Sequence, residues 1–246
     1  MKNTCIVIPA RYQSTRFPGK PLINLLGKPM IIWVAELANK VLQKKDIYIA
    51  TDNDLIEEIV LENNFNCIKT SNTITGTDRV ALASKELKYD IFINIQGDEP
   101  LLDPRDIEKC IKLKQQSPKY VFNGFNKMSQ NEDPSSTNVP KLVTNDNDDL
   151  IYISRSLIPA QKQQFKTRSI EYKKQVCIYG FSKEELSRFY NYGKKSYLEE
   201  IEDIEILRFL ELNTKIKMFR CSEGSIAVDI PSDVKKVEEL LKKNSS

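Results

Sequence analysis

IVIPARYQSTRFPGKPL, running from Ile6 to Leu22, decides how this chain is read. A short apolar strand, Cys5 to Ile8, empties into a loop that carries Arg11, Arg16 and Lys20, with Ser14, Thr15 and Gly19 supplying small groups and donors between them, and an apolar helix follows. Arginine offers a planar fork that matches phosphate oxygens, lysine offers a compact point charge, and the carboxyl end of a strand is where open α/β sheets bind ligands. The loop is therefore read as one that holds polyphosphate, with a solvated basic surface as the alternative. It is not one of the common phosphate loops, since neither GxxxxGK followed by Ser or Thr nor GxGxxG occurs in it.

The chain has 246 residues, enough for one sizeable core, so a single domain over 1–246 with a small excursion is expected. Net charge is +3, from 37 basic and 34 acidic side chains that are interspersed, which implies neither a nucleic-acid nor a membrane partner. Five cysteines without a CxxC pair point to neither a zinc site nor a disulfide framework, and reduced, mostly buried thiols are expected. The apolar stretch after Lys2 is too short for a secretory signal, and no apolar run reaches the roughly 18 residues of a membrane span, so a soluble cytoplasmic protein is expected. Histidine is absent. That excludes histidine-dependent triads, histidine-ligated zinc and a histidine general base, leaving carboxylates, cations, hydroxyls or a metal held by oxygen.

Short strands rich in Ile and Val alternate with helical patterns, the mark of βαβ units and of an α/β fold with a mostly parallel twisted sheet flanked by helices. Strands are predicted near 4–8, 47–51, 66–69 and 91–95. Helices are predicted near 29–41, 54–63, 78–87 and from Asp103 to about 115, the last announced by Asp103-Pro104. From about 126 to 173 the sequence turns polar, with the turn clusters NEDPSSTN and TNDNDD around short strand candidates at 141–143 and 151–153, and an ordered β-rich excursion is expected there. A strand at 176–179, a helix at 183–190, a long helix over about 197–212, a strand at 215–220 and a closing helix at 232–241 complete the pattern.

The strand IFINI delivers QGDEP, so Asp98 and Glu99 emerge at a strand's carboxyl end, on the same sheet edge as the basic loop. Hard oxygen donors beside phosphate-binding cations are the ingredients of a magnesium site; the alternative is a turn that merely caps the next helix. Asp229, in SIAVDIPSD, suits either a third element of such a site or a simple turn.

These segments resemble cytidylyltransferases that activate sugar acids, most closely the CMP-Kdo synthetase family, which joins CMP to 3-deoxy-manno-octulosonate (Kdo). Further matches follow in family order: ATD at Ala50 to Asp52, TGTDRVA at Thr75 to Ala81, NIQGDEPLL at Asn94 to Leu102, YISRSLIP at Tyr152 to Pro159, IYGF at Ile178 to Phe181 and VDIPSDV at Val228 to Val234. The resemblance implies a nucleotide-diphospho-sugar-transferase-like fold, CTP and a 2-keto-3-deoxy sugar acid as substrates, and Mg2+ on Asp98 and Asp229. It also implies a homodimer, and a lobe over 126–173 that covers the acceptor pocket and contributes to the dimer. By the same resemblance the nucleotide meets Arg11, Ser14, Arg16, Lys20, Arg79 and Asp98, while the acceptor meets Arg79, Gln96, Gln175, Tyr179, Glu205 and Ile206. Thr77 and Asp78 are expected to cap the helix that carries Arg79. Catalysis is expected from Arg11, Lys20, Asp98 and Asp229: the anomeric hydroxyl attacks the α-phosphorus in line, pyrophosphate leaves, and cations and metal offset the developing charge. No side-chain base is evident, so metal-assisted deprotonation of the hydroxyl is expected.

The departures fall on the acceptor side. Where the family reads RHLGIYGY this chain has KKQVCIYGF, with Gln175 for a pocket histidine and Cys177 for the following glycine; where it reads EHIEMLEQLR, Ile206 replaces an acceptor-contacting glutamine. The acceptor is thus left open among Kdo, an amino- or deoxy-variant, and another carboxylate- or phosphate-bearing molecule of surface-glycan synthesis, lipopolysaccharide or capsule. The acidic run Glu199, Glu200, Glu202 and Asp203 would favour a cationic group if it lines the pocket. Two rival classes are a UTP- or GTP-using transferase, against which Pro9-Ala10-Arg11 argues because its usual opening is glycine-rich, and a non-catalytic nucleotide-binding homologue, against which Lys20, Asp98 and Asp229 argue. Replacing Arg11, Arg16 or Lys20 by alanine should slow turnover by about tenfold or more with any acceptor, the loss expected for a charge contact worth about 2–4 kcal/mol in the transition state. Wild-type kinetics in all three variants would leave the loop a basic surface.

Overall fold

All but the first residue of β1 (Thr4–Ala10) is buried, because the strand lies inside the sheet with helices on both faces. The computed structural model describes residues 3–13, 17–129, 131–162, 170–228 and 230–244. After β1 come the short pair β2 (Asn24–Leu25) and β3 (Lys28–Pro29), α1 (Met30–Asn39), β4 (Ile47–Thr51), α2 (Asp54–Glu62), β5 (Asn66–Lys69), α3 (Gly76–Glu86), β6 (Ile91–Ile95) and α4 (Pro104–Gln116). Then follow β7 (Val121–Lys127), β8 (Lys141–Thr144), β9 (Leu150–Ser154), β10 (Lys173–Ser182), α5 (Lys183–Asn191), α6 (Tyr197–Glu202), α7 (Ile206–Glu211), β11 (Ile216–Arg220) and α8 (Pro231–Asn244).

The main sheet has the order β11-β7-β10-β6-β1-β4-β5. Pairs β1·β4, β1·β6, β4·β5 and β7·β11 are parallel, while β10 runs antiparallel to both neighbours, β6 and β7. The amino end of β10 also pairs with β8, which pairs with β9, so the polar excursion is ordered as an extension of the sheet. One face packs Ile6, Ile8, Ile49, Ile93 and Ile95 against apolar positions of α1, α2 and α4; the other packs Val7, Phe92 and Phe181 against α3, α5 and α7. Local signals set the helix starts: Asn53, Thr75, Asp103 and Ser182 each accept a backbone amide of the first turn through the side chain.

Two expectations are corrected, and one strand had not been predicted. The helix carrying Arg79 begins at Gly76 with Thr75, not Thr77 or Asp78, as its cap. Strand β7 had no clear signal, since Asn123, Gly124 and Asn126 lower its strand propensity. Gly124 is there for space: a Cβ would lie 2.6 Å from Cys221 Sγ and 2.7 Å from Ile178 Cγ2. The long helix over 197–212 is two helices, broken at Asp203, whose φ is 50°. Arg155 accounts for the break: its Nε donates to the carbonyl of Glu202 at 2.5 Å and its Nη2 to that of Asp203 at 3.0 Å, ending α6, and Ile204 then turns into the core.

Arg208 of α7 has no exposure to solvent. Its N–H groups donate to Glu199 of α6, at 2.6 and 2.7 Å, to Asp78 of α3, at 2.8 and 3.1 Å, and to the carbonyl of Phe189 at 3.2 Å. Five bonds match the five N–H groups a guanidinium carries. Arg208→Met should lower the unfolding free energy by about 3–5 kcal/mol, because it leaves two carboxylates buried without a counter-ion; a urea midpoint within error of wild type would contradict this.

Candidate functional site

Strands β1 and β6 lie side by side and parallel, so their carboxyl ends open on one edge, where a cleft of about 620 Å³ is found. Its floor is Pro9 and Ala10 of β1 with Arg11 just beyond it, and Gln96 to Asp98 from the QGDEP turn; its walls come from the start of α3, the 203–205 break, the face of β10 that carries Gln175, Cys177 and Tyr179, and Thr137, Asn138, Pro140 and Arg155 of the excursion. A second recess of about 500 Å³ shares Arg11, Thr73 and Arg79 with it.

The basic loop is closed by the amide of Gly19 donating to the carbonyl of Tyr12 at 2.9 Å, with Gly19 in the left-handed region at φ 71°. That closure sets Lys20 against the second motif: its Nζ meets Asp98 Oδ2 at 2.5 Å, with both side chains about one-fifth exposed. Gly97 allows the approach, because a Cβ there would stand 3.2 Å from the carbonyl of Pro9. Arg11 is exposed on the cleft and forms no ion pair with any described residue. Asp98 is not a helix cap; that role falls to Asp103, and Glu99 is buried, accepting from Ser225 Oγ at 2.5 Å and from the amide of Cys177. Ser14, Arg16 and Asp229 lie outside the described residues. Val228 donates its amide to the carbonyl of Asp98 at 2.9 Å, bringing the segment before the VDIPSD helix onto the same turn.

Arg79 lines the cleft, yet its guanidinium is held from behind: it donates to Asp52 of the ATD motif at 2.7 Å and to Thr70, and the residue is 2% exposed. Glu205, reached through the break at Asp203, accepts the amides of Gly76 and Thr77 at 3.0 and 2.7 Å. Burial pushes its carboxyl above the usual range, opposed by the bonds from Thr77 and Gly76. Tyr179 is held well above the usual phenol range, first by burial and then by the neighbouring Cys177 and Glu205, so it stays a hydroxyl. Gln96 and Gln175 line the cleft, and Gln175 bonds Tyr179 Oη at 3.2 Å.

Ile206 is the correction here. It is 1% exposed and packs in the core under α3 and α5, and the cleft is met instead by Ile204 and Glu205. The acidic run does not line the cleft as a group: Glu199 binds Arg208, Glu202 accepts from Ser154 and the amide of Arg155, Glu200 is exposed away from the lining, and of the four Asp203, paired to Lys195 at 2.7 Å, reaches it. The cysteines offer no nucleophile of ordinary reactivity where burial acts on them: Cys67 is pushed up to about 11, and Cys5, Cys110 and Cys221 further. Sequence reading gave no role to Arg155, Asp52 or Asn123. The first two stood in quoted motifs; the signal for Asn123 was a polar residue inside an apolar run.

The cytidylyltransferase family model matches residues 5–216 of this chain. A 3-deoxy-manno-octulosonate cytidylyltransferase of Escherichia coli is 34% identical over 242 residues, covering 98% of this chain and 97% of that protein. An 8-amino-3,8-dideoxy-manno-octulosonate cytidylyltransferase of Shewanella baltica is 37% identical over 248 residues, covering 97% and 98%. Among solved structures, a CMP:2-keto-3-deoxy-manno-octonic acid synthetase complexed with CTP matches at a TM-score of 0.88 and 33% identity over 98% of this chain and 99% of that one.

Arg79→Lys keeps the charge but cannot span Thr70 and Asp52 with one fork. It should cost about 1–3 kcal/mol in unfolding free energy, read by chemical denaturation; an unchanged midpoint would free Arg79 from this structural role.

Proposed function

The chain belongs to the cytidylyltransferase family, and on that premise we propose that it transfers CMP from CTP to the anomeric hydroxyl of a 2-keto-3-deoxy sugar acid, Kdo or an amino variant, in the cytoplasmic supply of activated sugar acid for lipopolysaccharide or capsule. The observation that carries the proposal is the convergence of Arg11, Lys20 and Asp98 on one sheet edge, facing a cleft whose far wall is polar and uncharged at Gln96, Gln175 and Tyr179. Relatives acting on Kdo and on its 8-amino form match this chain over comparable lengths, which supports the substrate class and leaves both acceptors in it.

Arg11 and Lys20 stand where a triphosphate entering from the basic loop would lie. Lys20 and Asp98 neutralise each other; in the proposed reaction Lys20 turns to the phosphates, and charge moving onto the leaving pyrophosphate strengthens its contact and that of Arg11. The acceptor's hydroxyl oxygen forms the new bond to the α-phosphorus as the bond to pyrophosphate breaks, and the hydroxyl proton passes to solvent. Tyr179, kept protonated, and the amides of Gln96 and Gln175 orient the acceptor's hydroxyls. Among the described residues no cluster of three acidic or cysteine groups is formed. Asp98 supplies one part-exposed carboxylate, the donor class magnesium takes when phosphate and water complete its shell, so the donor set fits, with Asp98 and Asp229 as the holders. Bound there, the metal would offset phosphate charge. We read 126–173 as the cover of the acceptor pocket, supported by Thr137, Asn138, Pro140 and Arg155 in the lining, and as a contact of a homodimer, supported by Ile151, which is 58% exposed.

Pyrophosphate release from CTP, UTP, GTP and ATP, each offered Kdo, 8-amino-Kdo and other keto-sugar acids, should occur with CTP and an octulosonate; release with another nucleotide alone would overturn the proposal. Asp98→Asn should abolish turnover and the response to added magnesium while the far-UV dichroism stays native, because a part-exposed carboxylate at the cleft floor contributes little to the core. Near-normal turnover by the folded variant would remove the metal role.

A further inference from the structure

Gln175 enters the cleft just before a bulge in β10. The pairing with β7 runs Gln175 to Phe125 and Val176 to Gly124, then resumes with Tyr179 opposite Asn123, so Cys177 and Ile178 have no partner on β7. A side chain repairs the gap. Nδ2 of Asn123, a residue with no exposure, donates to the carbonyls of both Val176 and Ile178 at 3.0 Å. Carbonyl oxygens only accept, so the amide of Asn123 has one orientation: nitrogen to the bulge, Oδ1 away from it. Gln175 Nε2 donates to that Oδ1 at 2.9 Å and to Tyr179 Oη at 3.2 Å. Both N–H groups of Gln175 are thereby committed within the protein. Its Oε1 accepts from no described residue, and Gln175 lines the cleft.

We propose that Asn123 is a specificity-positioning residue: it holds the amide of Gln175 nitrogen-inward, so that the acceptor is met at this point by a carbonyl oxygen and must bring a hydrogen-bond donor to it, a hydroxyl or an ammonium. The inference rests on the reading of the cleft as a sugar-acid site. A fixed amide selects strongly, because a site built to bond one partner leaves a buried group unpaired when the partner is missing. A freely flipping glutamine would bond donor and acceptor groups alike and select between them weakly.

The test uses Kdo, analogues with one hydroxyl removed at a time, the matching fluoro analogues and the 8-amino analogue, with wild type, Gln175→Met, Asn123→Val and the double variant. Fluorine keeps a weak acceptor and loses the donor. At one position the deoxy analogue should lose about tenfold or more in kcat/KM and the fluoro analogue at least as much. Both losses should shrink to about twofold in either single variant without adding in the double variant, while KM for CTP stays within about twofold of wild type. A fluoro analogue that outperforms its deoxy counterpart in wild type overturns the proposal, as do analogue losses that ignore residues 123 and 175. If Asn123→Val fails to fold, Gln175→Met and the fluorine comparison decide. Should wild type transfer CMP to no keto-sugar acid, the substrate reading fails by itself, and the side-chain amide protons of Gln175, identified by their loss in Gln175→Met, still test the orientation. They should exchange at least about tenfold more slowly than those of exposed glutamines; an unprotected signal overturns the proposal.

Discussion

The guanidinium of Arg208, sealed from water, fixes the wall of the cleft that the basic loop does not supply. Burying a cation and two carboxylates is costly unless each charge is paired and each N–H has an acceptor, and here all five N–H groups are met by Asp78, Glu199 and the carbonyl of Phe189. The ring of Phe189 lies 3.7 Å beneath the guanidinium and closes off the last approach for solvent. Helices α3, α6 and α7 are thereby held to hydrogen-bond tolerance of one another. With α7 so placed, Glu205 at its start reaches Gly76 and Thr77, whose amides belong to the first turn of α3 and have no partner within the helix. The same first turn carries Asp78 and leads to Arg79, so one network supports the helix end, the cleft wall and the Arg79–Asp52 contact.

The cleft that results draws its lining from both ends of the fold. Arg11, Lys20 and Asp98 lie on the side of β1, the basic loop and the QGDEP turn; Arg79, Glu205 and the amide of Gln175 lie on the side of α3, the 203–205 break and β10. The arrangement follows from topology. Parallel strands β1 and β6 bring two loops to one edge, and the antiparallel β10 brings side chains rather than a strand terminus to that edge. Its bulge at Cys177 and Ile178 is held by Asn123 from β7 and by Glu99, which takes the amide of Cys177. A carboxylate one residue beyond Asp98 is thus structural while Asp98 faces the cleft, a distinction set by a single turn.

Two substitutions that look equivalent beside the family pattern are unequal in three dimensions. Gln175 lies in the cleft, bonded to Tyr179 and Asn123, and shapes the surface that the cleft presents. Ile206 lies in the core, where an apolar side chain is the expected occupant, and offers no surface to a ligand. The departures from the family pattern that reach the cleft are therefore Gln175 and Cys177, not Ile206. The acidic run before it carries no general preference for cations, since Glu199 and Glu202 are consumed by Arg208 and by Ser154 and Arg155.

What the sequence determined by itself was whatever is encoded within a few residues. Alternating Ile- and Val-rich strands with capped helices specify an α/β sheet, and the two motifs that follow β1 and β6 specify a cation cluster and a carboxylate at strand ends. Both are local properties, and the fold leaves them where local geometry puts them. Tertiary structure alone decided the rest. The break at Asp203 exists because Arg155, some fifty positions earlier, takes the carbonyls that would have continued the helix. Strand β7 forms despite Asn123 and Gly124 because β10 and Cys221 require an amide and a bare backbone at those two points. Arg79 is bound from behind by Asp52, and Ile206 points inward, for the same reason: whether a side chain faces a ligand or a neighbour depends on what distant segments place beside it, and no local pattern carries that information.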